Sequence, residues 1–244
     1  MENSLLNPKI SIVIVIKNAV NTIENAIKSV LEQDYTNFEL VILDGISTDG
    51  TLEIIQKYKD RIAFFSSEAD SGIYDAMNKA VTNCSGDRIY FLGADDELFD
   101  PSVLSHVFNC PHQTNEIIYG NAYYLHRKKI RFGKINKYML CKQNINHQTI
   151  FYPSAVFKEY TYQTKYKILA DYLFNIILYF KSDYKFKYLD IVIVKFNDMG
   201  TSGLYLDSLF EKNRPQITKE IFPNDVYIFY QARRLFLSIH KLFK

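Results

Sequence analysis

The sequence predicts an α/β protein in which a mostly parallel sheet is flanked by helices. Apolar runs rich in β-branched residues recur in the first half of the chain, as at residues 9–16, and are typical of strands covered on both faces. Segments with helical spacing of apolar residues alternate with these runs, and the connections are a few residues long. This alternation indicates βαβ units. At 244 residues, the chain is long enough to bury the core of one large domain.

The first hundred residues contain four predicted strands with three predicted helices between them. The strands are predicted over residues 9–16, 38–43, 62–66 and 88–92, where apolar residues are continuous and turn residues follow. The first helix follows a capping box of Asn21 and Glu24. The other two helices are predicted over residues 51–59 and 71–83.

The pattern changes after residue 100. The remaining predicted elements are a short helix over 102–109, a strand over 117–119, a basic hairpin over 123–135, an apolar helix over 168–180, a strand over 186–194, and amphipathic segments near 204–221 and 224–243. The last two segments are separated by Pro223, which cannot continue a helix.

Charge and composition argue against several classes of protein. The formal net charge of +2 argues against a nucleic-acid binder that works through bulk charge. The three cysteines are far apart and form no CxxC pair, so neither a disulfide framework nor a zinc site is indicated. The first residues lack the apolar core of a signal peptide, and no run of about 18 uncharged apolar residues occurs. We therefore expect a cytoplasmic protein with no nucleic-acid partner and no transmembrane helix.

Polar residues follow each of the four predicted strands. They are Lys17-Asn18, Asp44, the segment 68–70, and Asp95-Asp96. Ligands bind at the carboxyl ends of parallel strands, so these residues predict a ligand site. Adjacent aspartates repel each other, which indicates either a solvated turn or a bound cation.

Five segments, in this order, resemble motifs of one enzyme family. They are SIVIVIKN at 11–18, SVLEQDYTNFELVILDGISTDGT at 29–51, EADSGIYDAMNKA at 68–80, YFLGADDELFDP at 90–101, and LADYLFNIIL at 169–178. Together they resemble the family-two glycosyltransferases, bacterial enzymes of GT-A fold that build surface polysaccharides. The third and fourth segments are especially similar to the subgroup that works on capsule, exopolysaccharide or lipopolysaccharide sugars.

The resemblance implies a Rossmann-like GT-A domain over residues 1–203. Its nucleotide-sugar half would cover about residues 1–100 and its acceptor half about 101–203, with C-terminal amphipathic helices in 204–244. The implied activity is inverting transfer of a sugar from a nucleoside-diphosphate sugar to a hydroxyl of a surface-glycan or lipid-linked acceptor. Two alternatives stay open: a non-catalytic module that binds nucleotide sugars or glycans, and a sugar-phosphate nucleotidyltransferase.

The resemblance also implies a divalent cation, Mn or Mg, at the acidic pair. A cation held by a carboxylate can bridge the protein and a diphosphate and stabilise the leaving nucleoside diphosphate. By resemblance, Asp96 is the metal ligand and Asp95 contacts the ribose. The alternative is an ordinary solvated acidic turn before Pro101.

Four further residues are implied on the donor side. Asp44 would bind the base or ribose, although Asp-Gly is also a common turn pair. Asp70 would lie near the nucleotide or cap the next helix. The family often reads Pro-Thr-Tyr-Asn after the first strand, whereas this chain has Val15, Ile16, Lys17 and Asn18. The hydroxyl that can contact the base is therefore absent at Ile16, so the base is not fixed by this loop and uridine is only the default expectation. Lys17 would reach a phosphate or stay on the rim, and Asn18 belongs to the same loop.

The base implied by the resemblance is Asp171, at the start of the apolar helix. Transfer needs a group that takes the proton of the acceptor hydroxyl. The family often has Glu-Asp there, and Ala170 replaces the first acid. A single base without a covalent nucleophile implies inversion; the alternative is that Asp171 caps the helix.

Three loop or terminal features complete the predictions. His147-Gln148 resembles pairs on the acceptor side of the family, with a structural role as the alternative. Thr201-Ser202 resembles a loop that closes over the diphosphate, with a plain flexible loop as the alternative. The segment 224–243 predicts a basic amphipathic helix, which would rest on the inner face of the cytoplasmic membrane, on its own domain, or on a dimer partner.

Overall fold

The computed structural model describes residues 4–131, 133–200 and 206–242. In these ranges the strands are β1 (Ser4–Leu5), β2 (Ile10–Ile16), β3 (Phe38–Asp44), β4 (Phe64–Ser67), β5 (Arg88–Phe91), β6 (Glu97–Leu98), β7 (His112–Gln113), β8 (Glu116–Tyr124), β9 (Lys129–Arg131), β10 (Ile150–Pro153) and β11 (Lys185–Phe196). The α-helices are α1 (Ile23–Leu31), α2 (Thr51–Gln56), α3 (Ile73–Val81), α4 (Val103–Phe108), α5 (Lys137–Leu140), α6 (Val156–Glu159), α7 (Ala170–Lys181), α8 (Ser208–Ile221) and α9 (Asn224–Leu242). Lys59–Arg61 and His147–Thr149 are 3₁₀ turns.

The central sheet has the strand order β4-β3-β2-β5-β10-β8-β11-β6, and β9 pairs with β8. The strands β4, β3, β2 and β5 are parallel, as predicted for the first half. The second half is mixed, because β10 runs antiparallel to both β5 and β8 whereas β8 and β11 are parallel. The four parallel strands therefore present their carboxyl ends at one edge of the sheet.

Both faces of the sheet are covered, as the β-branched runs predict. In β2, Ile12 and Ile14 point into a core shared with α1 and α4. Val13 points to the other face, where the core is shared with α3 and α7. This two-sided burial fixes the register of the parallel strands and so fixes which residues reach the carboxyl edge.

The predicted start of α1 was wrong. Thr22 is the N-cap and makes no side-chain cap hydrogen bond, so Asn21 and Glu24 do not form a capping box. The Glu24 carboxylate instead accepts from the Tyr58 hydroxyl at 2.8 Å and pairs with Lys28 at 3.4 Å. The competing partners explain why the box does not form.

The C-terminal helices begin on the main core. Phe210, Ile221 and Val226 are buried in the cluster that also contains α7. Further along α9, Leu235 and Phe236 are 64% and 65% exposed, so the second half of this helix projects its apolar residues outward. Within the described ranges, no helix is both long and apolar enough to cross a membrane. The division of the chain at residues 203 and 204 stays a prediction.

Candidate active site

Asp44 ends β3 at the carboxyl edge of the sheet. Its Oδ2 accepts hydrogen bonds from the Ser47 backbone N–H at 2.9 Å and from the Ser67 hydroxyl at 2.6 Å. Ser67 lies opposite Asp44 in the register of β3 and β4, which explains the second contact. The Asp44 side chain is buried, and its Oδ1 has no hydrogen-bond partner among the described residues. A buried oxygen of this kind is costly unless a ligand donates to it.

Asp70 lies against the same edge. Its Oδ1 accepts from the Gly72 backbone N–H at 2.8 Å, one residue before α3. Its Oδ2 would lie 2.5 Å from a Cβ at residue 45, so a glycine is needed there for this close approach. Asp70 therefore orients the turn before α3 but is not its N-cap, which is Gly72, and its contact with a nucleotide stays a prediction.

The acidic pair, Asp95 and Asp96, follows β5 and is hydrogen-bonded by one asparagine, Asn197. The backbone N–H of Asn197 donates to Asp96 Oδ1 at 2.6 Å, and its side-chain amide donates to Asp95 Oδ2 at 2.9 Å. Asn197 follows β11, so a strand of the second half positions the acids of the first half. This cross-link replaces the solvated turn that was the alternative for the pair.

Asp96 has the electrostatic character of a cation ligand. It is 1% exposed, and its Oδ2 has no hydrogen-bond partner among the described residues. Burial and the like charge of Asp95 raise the pKa of the Asp96 carboxyl to about 7, although the Asn197 N–H and the Gln148 side chain act in the opposite direction. A Cβ at Gly93 would overlap Asp96 Oδ2, so the backbone leaves this oxygen room.

These residues fit a divalent cation that takes few protein ligands. Within residues 4–131, 133–200 and 206–242, no group of three or more His, Cys, Asp and Glu residues could hold a metal ion. Cations such as Mg²⁺ bind instead through one or two carboxylates together with substrate phosphates. One buried carboxylate oxygen without a donor, beside a second carboxylate, meets that requirement.

A cavity of about 630 Å³ lies beside the acidic pair. Lys17, Asn18, Asp95 and Gly200 line it. Lys17 is exposed, and the Asn18 side-chain oxygen accepts from the Thr48 backbone N–H at 2.9 Å, which ties the loops after β2 and β3 together. The donor-side residues predicted after β2 and β5 therefore share one cavity.

Asp171 lies in the first turn of α7 and is buried. Its N-cap is Leu169, so Asp171 is not the cap of the helix. Its Oδ2 accepts from the Asn144 amide at 2.7 Å and lies 3.1 Å from His147 Nδ1. Its Oδ1 accepts from the Tyr172 N–H at 2.8 Å and lies 2.9 Å from the Tyr74 hydroxyl.

His147 and Gln148 start the same 3₁₀ turn but face different parts of the site. The Asn146 side chain caps this turn by accepting from the Gln148 N–H at 3.0 Å. His147 turns toward Asp171, whereas the buried Gln148 side chain lies beside Asp96. The two predicted loop residues therefore connect the acidic pair with the predicted base.

A second cavity, of about 280 Å³, contains His147 and Asp171 in its wall. Asn197 and Gly200 line both this cavity and the one beside Lys17. The two cavities are therefore neighbours that meet at the loop after β11. The predicted loop residues Thr201 and Ser202, which follow Gly200, lie outside the described residues.

Sequence reasoning missed three residues of the site. Asn197, Tyr74 and Asn144 contact Asp95, Asp96 or Asp171. Tyr74 lies inside the GIYDAMNKA segment and could have been noticed there. Asn144 and Asn197 are isolated amides in loops, and only the fold shows which acids they contact.

A family model described as "Glycosyl transferase family 2" matches residues 11–186. The chain belongs to glycosyl transferase family 2. The family-2 chain is 32% identical over 222 residues to a PGL/p-HBAD biosynthesis glycosyltransferase of Mycobacterium tuberculosis, which covers 87% of this chain and 86% of the relative. The predicted enzyme class, a glycosyltransferase, is thereby confirmed.

Solved structures confirm the GT-A fold. S. aureus TarS 1-349 in complex with UDP-GlcNAc superposes with a TM-score of 0.72 at 18% identity, covering 87% of this chain and 66% of that one. In the crystal structure of the longer TarS chain, the matched part is 39% of its length. The mannosyltransferase PcManGT from Pyrobaculum calidifontis, in complex with GDP-Man and Mn²⁺, superposes with a TM-score of 0.68 at 15% identity, covering 93% of this chain and 69% of that one.

Proposed function

We propose that this glycosyltransferase moves one sugar, with inversion, from a nucleoside-diphosphate sugar to a hydroxyl of a surface-glycan or lipid-linked acceptor. The observation that carries the proposal is the buried Asp96 carboxylate, whose Oδ2 has no hydrogen-bond partner among the described residues. The neighbouring Asp95 lines one cavity, Asp171 lines a second, and Asn197, which donates to both Asp95 and Asp96, lines both cavities. Two adjoining cavities are what a donor and an acceptor require.

The donor occupies the cavity at the carboxyl edge of the parallel strands. Asp44 and Asp95 hold the nucleoside, and Asp70, Lys17 and Asn18 lie around the nucleotide. The unpartnered Oδ1 of Asp44 supports this assignment, because a base or ribose hydroxyl group can donate to it. UDP-GlcNAc is bound in the TarS structure, which favours a UDP-sugar as the default donor.

Asp96, assisted by Asp95, would hold a divalent cation, Mn or Mg. When bound, such a cation neutralises the charge that develops on the leaving nucleoside diphosphate. The Mn²⁺ in the PcManGT complex supports this choice. Asn197 orients both carboxylates through its two hydrogen bonds, and the Gln148 side chain lies beside Asp96.

The acceptor hydroxyl enters the cavity that contains Asp171 and His147. It needs a base there, and the Asp171–His147 pair supplies one. No covalent nucleophile is required when the hydroxyl attacks the anomeric carbon directly, and this single displacement inverts the configuration.

The lipid-linked acceptor and the C-terminal helix belong together in this proposal. The second half of α9 exposes Leu235, Phe236 and Ile239 close to Arg233 and Arg234. A basic helix with exposed apolar residues can rest on anionic lipid at the inner face of the cytoplasmic membrane. Dimerisation through α9 is the alternative use of this surface.

A thermal-shift panel of nucleoside diphosphates, with and without Mn²⁺, tests the donor site. Ligands that bind only the folded state raise its melting temperature. We expect UDP to give a shift that depends on Mn²⁺ in the unmodified protein and not in the Asp96→Asn variant. The matched control is Glu97→Gln, because Glu97 is the neighbouring acid and pairs with Lys195 at 3.3 Å away from Asp96.

The reaction is tested with a donor panel of UDP-glucose, UDP-galactose, UDP-GlcNAc and GDP-mannose with Mn²⁺. We expect one of these donors to release its nucleoside diphosphate slowly to water. The absence of any metal-dependent shift would contradict the donor site. Binding without release would favour a non-catalytic module, and release of pyrophosphate from a nucleoside triphosphate and a sugar phosphate would favour a nucleotidyltransferase.

A further inference from the structure

The Asp171 carboxylate is already surrounded by hydrogen-bond donors. Tyr172 N–H and Asn144 Nδ2 donate to it, and His147 Nδ1 and the Tyr74 hydroxyl lie within 3.1 Å and 2.9 Å of its oxygens. A carboxylate offers about four lone-pair positions. Tyr74 also lies 2.6 Å from the Ile168 carbonyl oxygen and shares its single proton between the two acceptors. Little capacity is left on Asp171 to take a proton from a substrate.

The Tyr74 contact is not released by ionisation of the phenol. Burial and the charge of Asp171 raise the pKa of Tyr74 well above its ordinary value, so the hydroxyl keeps its proton and remains a donor. Asn144 is fixed as well, because its side-chain oxygen accepts from the Asn175 amide at 3.1 Å. This bond orients the Asn144 amide with its nitrogen toward Asp171. Both contacts are therefore fixed by groups of the protein itself.

His147 has the opposite character. An ionised carboxylate only accepts hydrogen bonds, so the His147 nitrogen that faces Asp171, Nδ1, carries the ring proton when the imidazole is neutral. The other nitrogen, Nε2, then has a free lone pair. Nε2 has no hydrogen-bond partner within the described parts of the chain, and 18% of the side chain is exposed in the wall of the acceptor cavity.

We infer that His147 Nε2 is the base that takes the acceptor proton, and that Asp171 is a positioning residue which holds the imidazole in the required tautomer. This inference rests on the proposed function and assigns the proton within the Asp171–His147 pair. The family resemblance alone assigned it to Asp171. The geometry points instead to the partner of Asp171.

The step balances without a further reactant. As the acceptor oxygen bonds to the anomeric carbon, its O–H bond breaks and the proton moves to His147 Nε2. The bond from the anomeric carbon to the diphosphate oxygen breaks, and its electron pair leaves with the nucleoside diphosphate. The resulting imidazolium is stabilised by the Asp171 carboxylate until it loses the proton to water.

The tautomer can be measured without any substrate. Long-range ¹H–¹⁵N NMR spectra of the intact protein at mildly alkaline pH distinguish a ring protonated at Nδ1 from one protonated at Nε2. The chain has five histidines, and the His147 signals are identified by their loss in His147→Gln. We expect the Nδ1–H tautomer in the unmodified protein. The Nε2–H tautomer would overturn the inference.

Turnover of the donor panel gives the second test, with water or added sugar as acceptor. We expect His147→Gln to lower kcat by about 10²–10⁴-fold with little change in KM for the donor. The double variant with Asp171→Asn should be no slower, because the two residues act as one unit. Imidazoles added to His147→Ala should restore activity in the order of their basicity. His106→Gln is the matched control, because His106 is exposed on α4, where its ring contacts Ser102.

Near-normal kcat in His147→Gln, together with a strong loss of kcat in Asp171→Asn, would show that Asp171 is the base and would overturn the inference. UDP binding, measured by thermal shift, separates this failure from failure of the proposed function. If the unmodified protein did not bind UDP, or turned over no donor of the panel, the proposed function itself would be contradicted. Rescue by imidazole would be absent if His147 had only a structural role.

Discussion

The two ends of β3 carry acidic residues in opposite hydrogen-bonding states. Near the amino end, Glu39 accepts from Ser11 Oγ, Ser85 N–H, Ser85 Oγ and Lys9 Nζ at 2.6–2.7 Å. At the carboxyl end, Asp44 has one satisfied oxygen, and the other is buried without a partner among the described residues. We therefore expect the carboxylate that the protein satisfies, Glu39, to be structural, and the incompletely satisfied one, Asp44, to bind a ligand.

The same contrast separates the two sides of the active site. Asp96 has an oxygen without a donor, as Asp44 has, and both lie on the donor side. Asp171, on the acceptor side, is surrounded by donors, as Glu39 is. From this comparison we expect Asp44 and Asp96 to bind ligands directly, and Asp171 to act through the groups that it orients.

Replacing Asp171 with alanine should have the largest effect on stability. Asn144, His147 and the Tyr172 N–H would lose their acceptor in a buried site, and each unsatisfied group costs about 1–3 kcal/mol. Because water can enter the space left by the side chain, we expect a total loss of about 2–4 kcal/mol in the free energy of unfolding. Urea unfolding followed by circular dichroism measures this loss. Asp171→Asn, which keeps one oxygen acceptor, is the control and should lose less.

An unchanged unfolding free energy in Asp171→Ala would contradict the comparison. It would mean that the donors around residue 171 find water or other partners at no cost. Asp171 would then resemble Asp44, with oxygens that are open to a substrate. The result would also favour Asp171 itself as the base.

Asp44→Asn should affect ligand binding more than folding. Its Oδ2 contacts with Ser47 and Ser67 can be kept by the amide oxygen, so the melting temperature should change little. A hydrogen bond to a charged group contributes about 1.5–3 kcal/mol, which corresponds to about a 10–100-fold weaker Kd for UDP. Isothermal titration calorimetry with UDP and Mn²⁺ measures this change. Asp60→Asn is the control, because Asp60 is exposed in the 3₁₀ turn Lys59–Arg61 and does not line the donor cavity.

Equal Kd values for UDP in the unmodified protein and in Asp44→Asn would contradict the role of the unpartnered oxygen. A large fall in melting temperature would instead place Asp44 with Glu39, as a residue that the fold requires. Either result would break the distinction between the two ends of β3.

The sequence predicted the strands of the parallel half of the sheet and their positions along the chain well. The β-branched runs of β2 and β3 have continuous apolar surfaces, which only a sheet covered on both faces can bury. The start of α1 was wrong, because Tyr58 comes from a distant turn to take the Glu24 carboxylate. Helix-start rules consider only residues close in sequence, so they could not include the contact between Tyr58 and Glu24.

The acidic residues of the site could be predicted from the sequence, whereas the residues that contact them could not. Asp44, Asp95 and Asp96 follow strands, so their place at one edge follows from strand order. The contact of Asn197 with both aspartates joins residues about one hundred positions apart. The pairing of His147 with Asp171 likewise depends on how α7 packs beside the 3₁₀ turn. Such contacts are set by tertiary packing and leave no periodic signal in the sequence.

Glu39→Gln should have the smallest effect of the three substitutions. It tests whether the Glu39 carboxylate stabilises the fold, in contrast to Asp44. Burial alone would raise the pKa of Glu39, but hydrogen bonds from Lys9, Ser11 and Ser85 lower it to about 2 from the ordinary 4.5. Stability from this carboxylate is therefore fully present above about pH 4.5 and is lost as the pH falls toward 2.

At neutral pH we expect Glu39→Gln to lower the melting temperature by about 2–4 °C, the shift that roughly 1 kcal/mol gives in a domain of this size once solvent screening is allowed for. The difference from the unmodified protein should shrink as the pH is lowered from 5 toward 3, because the native carboxylate is then losing its own contribution. Urea midpoints across this range measure it. Glu32→Gln, at the exposed C-cap position of α1, is the control. A difference that stayed constant with pH would show that the Glu39 contacts act through packing rather than through charge.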